Sequence, residues 1–265
     1  MTGPQVLVTT WNEEDNLPGC LASVAGWARR ILVVDSFSTD GTARVAEAAG
    51  AEFVRRQYRS PSDQKNWALE RLDPGWVLIL DADERVTPAL RAEIDRTLAA
   101  PQHRAYWVPR RNRFLGKTMR HGGWERDGVV RLLERDAGRY RDALVHELMH
   151  CPGGHGRLRE ALEHDSYRDV DDYLARMLRY SRAGARQLAR EGRRPSLGRA
   201  LLRPPARFLR MLVWQRGWRD GPHGVVLALL SALQVGLKHS LHWGQARGVI
   251  PGDPAPPEHE ERGVD

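Results

Sequence analysis

Short runs of apolar residues alternate with amphipathic stretches along the N-terminal part of this chain. The apolar runs predict buried strands, and the stretches between them repeat apolar residues every three or four positions, which predicts helices. Strands are expected at 6–10, 31–34, 53–54 and 76–80, and helices at 17–24, 38–49, 61–72 and 88–98. This alternation indicates an α/β fold, in which a mostly parallel central sheet is covered by helices.

The rest of the chain divides into an irregular middle and a helical C-terminal region. The middle, 104–165, is rich in arginine, glycine and histidine, and its apolar runs at 106–108 and 129–133 predict two further strands. Beyond it, an arginine- and proline-rich hinge at 192–205 is expected between two basic amphipathic helices, followed by an apolar helix at 224–237. We therefore expect an α/β domain over 1–165, a helical appendage over 166–250 and a disordered tail over 251–265.

Positive charge is concentrated in the helical appendage. The chain has a net charge of +7, yet the segment 176–219 holds thirteen arginines against one glutamate, so the remainder is net negative. Nucleic-acid binding is disfavoured, because the α/β part is acidic and carries no nucleic-acid-binding motif. A solvated helix face stays open as an alternative, but basic helices that carry Phe208, Leu212, Trp214 and Trp218 favour an anionic membrane surface.

The length of the apolar stretch 224–237 indicates whether the chain spans the membrane or lies on its surface. It has fourteen residues, fewer than the ~20 needed to span a bilayer, so we predict a chain that lies on the membrane without crossing it. Packing of this stretch on the α/β domain or on a second subunit, giving a homo-oligomer, is the alternative. No secretory leader is visible, and Cys20 and Cys151 are isolated, so we expect a cytoplasmic location at the inner face of the membrane.

Polar and acidic residues follow three of the predicted strands. They are Thr9, Asn12 and Glu13 at the first, Asp35 and Ser36 at the second, and Asp81, Ala82 and Asp83 at the fourth. Ligands of parallel sheets bind beyond the carboxyl ends of the strands, so these ends predict one binding rim. Two carboxylates at i and i+2 can meet one hard cation, Mg²⁺ or Mn²⁺, which would stabilise charge on a leaving diphosphate. A solvated turn is the plain alternative.

Further side chains near this rim are candidates for ligand contacts. Asp35 can accept a hydrogen bond from a nucleobase N–H or a ribose hydroxyl. Ser38 or Thr39 is expected to cap the following helix, and capping does not need both Asp35 and Asp40, so a mixed role is assigned to these two acids. Lys65, near a predicted helix start, can reach the phosphates, although an ordinary polar helix face would show the same pattern.

The strand ends resemble a known enzyme family in residue type, spacing and order. The matching residues are Thr9, Asn12 and Glu13, then Asp35, Ser36, Ser38, Asp40, Gly41 and Thr42, then Asp81, Ala82, Asp83 and Glu84. From about residue 6 to 147 the chain resembles family 2 glycosyltransferases with the GT-A fold, and within them the WaaE/KdtX-type lipopolysaccharide-core enzymes. The resemblance implies that Thr9, Glu13 and Asp35 contact the nucleoside, that Asp81 and Asp83 bind metal and diphosphate, and that the reaction inverts the anomeric carbon by direct displacement.

Such a displacement needs a base for the acceptor hydroxyl. Many members of the family use an aspartate in a Glu-Asp pair ahead of an arginine. Here Arg126 separates Glu125 from Asp127, so Asp127 is the first candidate, Glu147 the second, and a surface turn the plain alternative. His146 lies where GT-A enzymes often place a late metal- or phosphate-binding histidine, and it is assigned to the metal.

The segment 146–150 also matches the HExxH signature of zinc proteases. That chemistry needs both histidines on one helix, and the proline and two glycines at 152–154 would end a helix there. His155 is one place out of register for the third histidine of the extended motif. A zinc hydrolase is therefore disfavoured, and a phosphatase is disfavoured because Glu84 and Arg85 follow Asp83 in the wrong register.

We therefore predict a metal-dependent inverting glycosyltransferase. It would take a nucleotide-diphosphate sugar, with a UDP-sugar as the expected donor, and a hydroxyl of a glycolipid or cell-envelope glycan as acceptor. A catalytically degenerate member that only binds nucleotide sugars is the alternative, because the region of the base departs from the family pattern.

Overall fold

The apolar runs that open the chain form the parallel part of one 10-stranded sheet. The structure is a computed structural model, and it describes residues 3–141, 148–167 and 169–249. The strands are β1 (Gln5–Thr10), β2 (Arg30–Asp35), β3 (Glu52–Arg55), β4 (Trp76–Asp81), β5 (Glu84–Arg85), β6 (Ala105–Phe114), β7 (Lys117–Thr118), β8 (Gly128–Glu134), β9 (Arg139–Tyr140), β10 (Met149–His150), β11 (Gly156–Arg157) and β12 (Leu162–Tyr167). The α-helices are α1 (Leu17–Val24), α2 (Thr42–Ala48), α3 (Pro61–Leu69), α4 (Pro88–Ala99), α5 (Val170–Arg190), α6 (Leu197–Leu209) and α7 (Pro222–Ala246).

The main path of the sheet has the strand order β3-β2-β1-β4-β8-β6-β12-β5. Strands β1 to β4 are parallel, and β8 lies antiparallel between β4 and β6. Beyond β6, strand β12 pairs with it in parallel, and β5 closes that edge in antiparallel pairing with β12. The predicted α/β class is therefore confirmed, with an antiparallel strand in the second half of the sheet.

Helices cover both faces of the parallel strands. Leu78 and Leu80 of β4 belong to one core cluster with α1 and α4, whereas Val77 and Ile79 belong to another with α3. All four side chains are fully buried. This two-sided burial explains why β4 is apolar without alternation. Helix α3 ends at Leu69, earlier than predicted, and the N–H groups of Arg71 and Leu72 donate to main-chain oxygens three residues earlier instead of four.

The expected hinge at 192–205 extends too far, because only 191–196 separates α5 from α6 and the rest of it is helical. Helix α6 carries Pro204 and Pro205 within it and continues into the π-helical turn Arg210–Trp214. An interior proline loses a main-chain hydrogen bond and costs about 3 kcal/mol, which is why the sequence favours a break. Tertiary packing offsets that cost here, because Gly236 of α7 lies so close that a Cβ there would be 3.1 Å from Pro204 Cγ.

The C-terminal helices share a hydrophobic cluster with the sheet. Phe114, at the end of β6, is fully buried and clusters with Tyr173 of α5, Met211 of the π-helical turn and Leu227 of α7. The ring centroids of Phe114 and Tyr173 are 5.8 Å apart in an edge-on arrangement. The helical region is thus packed onto the C-terminal end of β6.

Helix α7 is longer than the predicted apolar stretch, with 25 residues, and among the described residues it alone is long and apolar enough to cross a membrane by length and composition. However, 39% of its most apolar window is buried inside the protein, where α7 contacts α5 and α6. Two polar side chains in its C-terminal half, His239 and His242, are also buried.

Candidate active site

The three predicted strand ends lie side by side. In the sheet register Thr9 of β1 is opposite Asp81 of β4, and Thr10 is opposite Asp35 of β2. The prediction that these ends form a single rim is confirmed, because the carboxyl ends of parallel neighbours meet at one edge.

The loops after β1 and β2 are fastened to each other. The Asn12 N–H donates to Ser38 Oγ at 2.8 Å, and the Thr39 N–H donates to Asn12 Oδ1 at 2.9 Å. The Glu13 N–H donates to Thr42 Oγ1 at 2.9 Å. Asn12 itself has a left-handed φ of 53°, which asparagine tolerates better than most residues. The two loops therefore form one preshaped edge.

Asp35 is fully buried beneath this edge. One carboxylate oxygen accepts from the Thr10 hydroxyl at 3.0 Å, and the other accepts from the Ser38 N–H at 2.7 Å. Asp35 thus holds the loop in shape, and its contact with a nucleoside stays a prediction. Ser36 is half-buried and accepts from Gln64 Nε2 at 3.2 Å.

Asp40 supplies the hydrogen bond at the start of α2 that we expected from Ser38 or Thr39. Its Oδ1 accepts from the Thr42 N–H at 3.0 Å, and its Oδ2 accepts from the Glu14 N–H at 3.1 Å. The Ser38 hydroxyl instead donates to Asp35. The prediction that Ser38 or Thr39 caps the helix is therefore wrong, because Asp40 accepts the hydrogen bond from the first residue of α2.

Asp81 lies between two cations. Its Oδ1 is 3.1 Å from Lys65 Nζ, and its Oδ2 accepts from Arg131. Burial alone would raise the pKa of Asp81, but the charges of Arg131 and Lys65 outweigh it and hold that pKa well below its usual value. Lys65, predicted to reach the phosphates, is buried beside the first acid of the motif.

Asp83 has longer ion-pair distances than Asp81, and its partners belong to elements far away in sequence. Its Oδ2 is 3.5 Å from His164 Nε2 of β12 and 3.5 Å from Arg176 Nη1 of α5. Burial opposes the charged form, yet the His164 charge and hydrogen bond keep the pKa of Asp83 lowered. Reciprocally, desolvation would lower the pKa of His164, but Asp83 raises it. Ala82, between the two acids, is buried.

Glu84 is a fully buried carboxylate that contacts both Arg131, the partner of Asp81, and Arg110, the partner of Asp127. Its Oε1 is 2.9 Å from Arg131 Nη2 and 3.4 Å from Arg110 Nη1, and its Oε2 accepts from the Asp81 N–H at 3.0 Å. A buried carboxylate needs this degree of compensation, and removal of one partner would leave a charge uncompensated.

Asp127 follows a 3₁₀ turn, Trp124–Arg126, and lies opposite Arg110. Arg110 donates to both carboxylate oxygens at 3.0 Å, and Asn112 donates to Oδ2 at 2.8 Å. Burial would raise the pKa of Asp127, but the hydrogen bonds and charge of Arg110 outweigh it and lower that pKa. The carboxylate is therefore ionised at neutral pH.

A chain of hydrogen-bonding groups connects Asp127 to Asp83. Asn112 donates to Asp127, and its Oδ1 is 2.6 Å from His164 Nδ1. Because the carbonyl oxygen can only accept, it fixes the proton on Nδ1 of His164. The other ring nitrogen, Nε2, then faces Asp83.

The second base candidate, Glu147, and the proposed metal ligand, His146, lie outside the described residues. The residues that follow them do not continue as a helix. His150 lies in β10, which pairs antiparallel with β9, and its Nδ1 is 3.0 Å from Arg141 Nη2. This extended backbone at 149–150 argues against the helix that a zinc protease motif requires.

Asp83 and His164 fit a divalent cation. Among the described residues, no group of three or more His, Cys, Asp or Glu side chains is arranged to hold a metal. One carboxylate oxygen and one imidazole nitrogen, completed by diphosphate oxygens and water, nevertheless suit six-coordinate Mg²⁺ or Mn²⁺. Both oxygens of Asp81 contact cationic groups, so Asp83 is the better-placed acid.

The sequence interpretation missed four residues of this site. They are Arg110, Asn112, His164 and Arg176. No local pattern in the polar run 163–166 marks His164, because β12 and α5 reach Asp83 through tertiary contacts.

Comparison with known proteins identifies the family of the chain. Residues 5–165 match Glycosyl transferase family 2. The chain is 33% identical over 245 residues to the lipopolysaccharide core biosynthesis glycosyltransferase LpsC of Rhizobium meliloti (strain 1021), an alignment that covers 87% of this chain and 90% of the relative.

Two solved structures are also similar. Mannosyl-3-phosphoglycerate synthase from Rubrobacter xylanophilus is 21% identical, with a TM-score of 0.47 over 74% of this chain and 76% of that one. Glucosyl-3-phosphoglycerate synthase from Mycobacterium tuberculosis, in complex with Mn²⁺, UDP and glucosyl-3-phosphoglycerate, is 15% identical, with a TM-score of 0.47 over 74% and 82%. With the family match over most of the α/β domain and a relative aligned along nearly its whole length, this chain belongs to glycosyl transferase family 2, and it has the GT-A fold.

Proposed function

We propose that this glycosyltransferase is metal-dependent and inverting, with a UDP-sugar as donor and a hydroxyl of a glycolipid of the lipopolysaccharide-core type as acceptor. The observation that carries the proposal is the continuous connection from Asp83 through His164 and Asn112 to Asp127. It joins a cation-binding carboxylate to an ionised carboxylate, the two groups that a direct displacement needs at the leaving group and at the nucleophile.

The nucleoside would bind at the edge formed by the loops after β1 and β2. Two aromatic side chains there are more than half exposed, Trp11 at 54% and Phe37 at 53%. Phe37 has a left-handed φ of 60°, which is uncommon for a bulky residue and marks a constrained position. Exposed rings on both loops suit a planar base, which would lie above Asp35.

The diphosphate would bind over Asp83 and the cations near it. Bound Mg²⁺ or Mn²⁺, held by Asp83 and His164, would supply positive charge against the leaving diphosphate. Asn112 accepts a hydrogen bond from the proton on Nδ1 of His164 and fixes the ring orientation, so Nε2 would be the ligand once metal binding releases the proton it shares with Asp83. Arg176 adds a second positive charge on the same side.

Asp127 would accept the proton of the acceptor hydroxyl. Its lowered pKa makes it a weak base, so proton transfer would accompany the formation of the new glycosidic bond, when the hydroxyl is most acidic. Arg110 and Asn112 fix the carboxylate in one orientation. A base on the acceptor side, with diphosphate leaving on the other, inverts the anomeric carbon.

The acceptor would be reached from an anionic membrane surface on the cytoplasmic side. Large exposed apolar residues are concentrated after residue 169, among them Leu202 at 73% and Trp214 at 82%. They share this region with exposed arginines of α5, including Arg182 and Arg186. Basic helices with exposed apolar residues bind anionic interfaces, and the buried face of α7 favours attachment over spanning.

Isothermal titration calorimetry with UDP-, GDP- and dTDP-sugars, each with and without Mn²⁺, tests the proposal. We expect one UDP-sugar to bind with an affinity that Mn²⁺ increases. No metal-dependent binding of any of these donors would overturn it, and donor binding without transfer to lipopolysaccharide-core acceptors would favour a degenerate binding protein instead.

A further inference from the structure

An open cavity of about 620 Å³ lies between the catalytic domain and the C-terminal region. Its lining residues are Lys117, Thr118, Arg120, His121, Arg219 and Asp220. The first four belong to β7 and the loop after it, and the last two to the 3₁₀ turn Gly217–Asp220. The volume is that of a small-molecule site, and the lining is dominated by cationic side chains.

The one carboxylate in this lining is already used to build the wall. Asp220 is buried, and its Oδ2 accepts from the main-chain N–H groups of Arg120 at 3.0 Å and His121 at 2.8 Å. Its Oδ1 is 3.2 Å from His121 Nδ1. Lys117 Nζ donates to the main-chain oxygen of Asp220 at 2.7 Å. Asp220 therefore fastens the two walls together.

The guanidinium groups of Arg120 and Arg219 stand on exposed residues of the same cavity. With Lys117 they provide three positive charges against the single negative charge of Asp220. An anion in this cavity would meet two planar, always-charged groups that suit phosphate or carboxylate oxygens. The contacts of Asp220 hold the main chain of both walls in place before an anion binds.

The cavity is connected to both the catalytic network and the surface proposed to face the membrane. The Met119 N–H, between Thr118 and Arg120, donates to the main-chain oxygen of Asn112 at 2.9 Å, and the Asn112 side chain bonds Asp127. On the other side, Trp218 precedes Arg219 and is 60% exposed. An anionic substituent of a membrane-bound acceptor would thus bind at a loop that is hydrogen-bonded to Asn112, the residue that donates to the proposed base.

We infer that this cavity binds an anionic group, a phosphate monoester or a carboxylate, carried by the glycolipid acceptor. The inference rests on the proposed function for the acceptor's nature, but the anion site can be tested without knowing the acceptor. It is separate from the donor diphosphate, which has its own cationic surroundings at Asp83.

The test uses the whole chain and two probes, methyl phosphate and acetate, titrated at constant ionic strength and pH. The ring proton signals of His121, assigned by their loss in His121→Gln, report binding by NMR. We expect a saturable shift with at least one probe, and which probe binds tells whether the group is a phosphate or a carboxylate. The double variant Arg120→Gln/Arg219→Gln should weaken binding at least tenfold.

The matched control is Arg96→Gln/Arg159→Gln, which removes two exposed arginine charges elsewhere on the catalytic domain and should leave the dissociation constant unchanged. A shift that fails to saturate, or equal affinity in both double variants, would overturn the inference. Calorimetry of UDP-sugar binding on the same samples separates the two proposals. If the wild type binds a UDP-sugar but neither anion probe, the anion site is rejected and the proposed function stands. If the wild type binds no UDP-sugar, the proposed function is rejected.

Discussion

Arg176 of α5 lies 3.5 Å from Asp83, the second acid of the Asp81-Ala82-Asp83 motif, so the C-terminal region contributes a charge to the catalytic domain. The same guanidinium donates to Asp172 at 2.9 Å, one helical turn earlier. Burial opposes its charge, but Asp83 and Asp172 raise the pKa of Arg176 above its usual value. Arg176 is therefore a fixed cation beside the proposed metal ligand.

Arg176→Gln should lower kcat and tighten metal binding at the same time. Loss of the positive charge removes one stabilising group from the leaving diphosphate, with an expected loss in kcat of about 10- to 100-fold for a charge-assisted contact. It also removes a competitor for Asp83, so the Kd for Mn²⁺ should fall. Arg179→Gln, on an exposed residue of the same helix, is the control for both measurements, and a parallel loss there would mean that only helix charge matters.

Asp83→Asn should abolish metal-stimulated transfer while the protein stays folded. Removal of a carboxylate that holds charge stabilising the transition state is expected to cost about 10²–10³-fold in kcat. Steady-state kinetics over a range of Mn²⁺ concentrations and thermal unfolding would be measured together. Asp136→Asn, in an exposed ion pair with Arg135, is the matched control, because solvent screens such a pair and its loss should change stability little. Full activity of Asp83→Asn would exclude Asp83 as the metal ligand.

Asp127→Asn and Glu147→Gln distinguish the two base candidates. Loss of a general base lowers kcat by about 10²–10⁴-fold, so we expect that range for Asp127→Asn and near wild-type turnover for Glu147→Gln. Donor affinity should be retained in Asp127→Asn, because the side chain of Asp127 is hydrogen-bonded to Arg110 and Asn112. A residue whose replacement leaves full activity is not the base. If Asp127→Asn keeps full activity and Glu147→Gln does not, the role belongs to Glu147.

The stability contribution of Asp127 should disappear in acid. Because the folded-state pKa of Asp127 is lowered, the group binds fewer protons in the folded state than in the unfolded chain. Its contribution is therefore present above the unfolded pKa of about 3.9 and is lost as pH falls through the lower folded value. Urea unfolding of wild type and Asp127→Asn should differ by roughly 1–3 kcal/mol at pH 7, and the difference should shrink as pH falls through the lowered folded-state pKa. A difference that persists unchanged at low pH would show that packing, and not charge, is responsible.

Trp214→Ser/Trp218→Ser should weaken co-sedimentation with anionic vesicles. Both rings are mostly exposed, and insertion of one ring into an interface is worth roughly 1.5 kcal/mol, so a loss of about tenfold per ring is expected. Added salt should weaken binding of the wild type further, because the arginine contribution is screened. Trp11→Ser, at an exposed ring on the donor side, should leave vesicle binding unchanged, and indifference of the wild type to lipid charge would contradict the membrane proposal.

The sequence was sufficient to predict that three strand ends meet at one rim, because the signals there are local. Asp81 and Asp83 follow a strongly apolar strand, and Asp35 follows another, so the sheet brings them to one rim by register alone. His164 and Arg176 could not be placed in this way, since their approach to Asp83 depends on β12 pairing beside β6 and on the packing of α5. The predicted hinge extended into α6 for a similar reason, because the contact between Pro204 and Gly236 is not visible in either local sequence.

The burial of Phe114 among the C-terminal helices has a geometric consequence. A strand of the catalytic sheet and the helices proposed to lie on the membrane are parts of one packed body, so they cannot tilt independently. The distance between the reaction centre and the lipid surface would then be fixed by the protein. Acceptor hydroxyls at that distance from the bilayer could be glycosylated, and identical hydroxyls nearer to or farther from it would be out of reach.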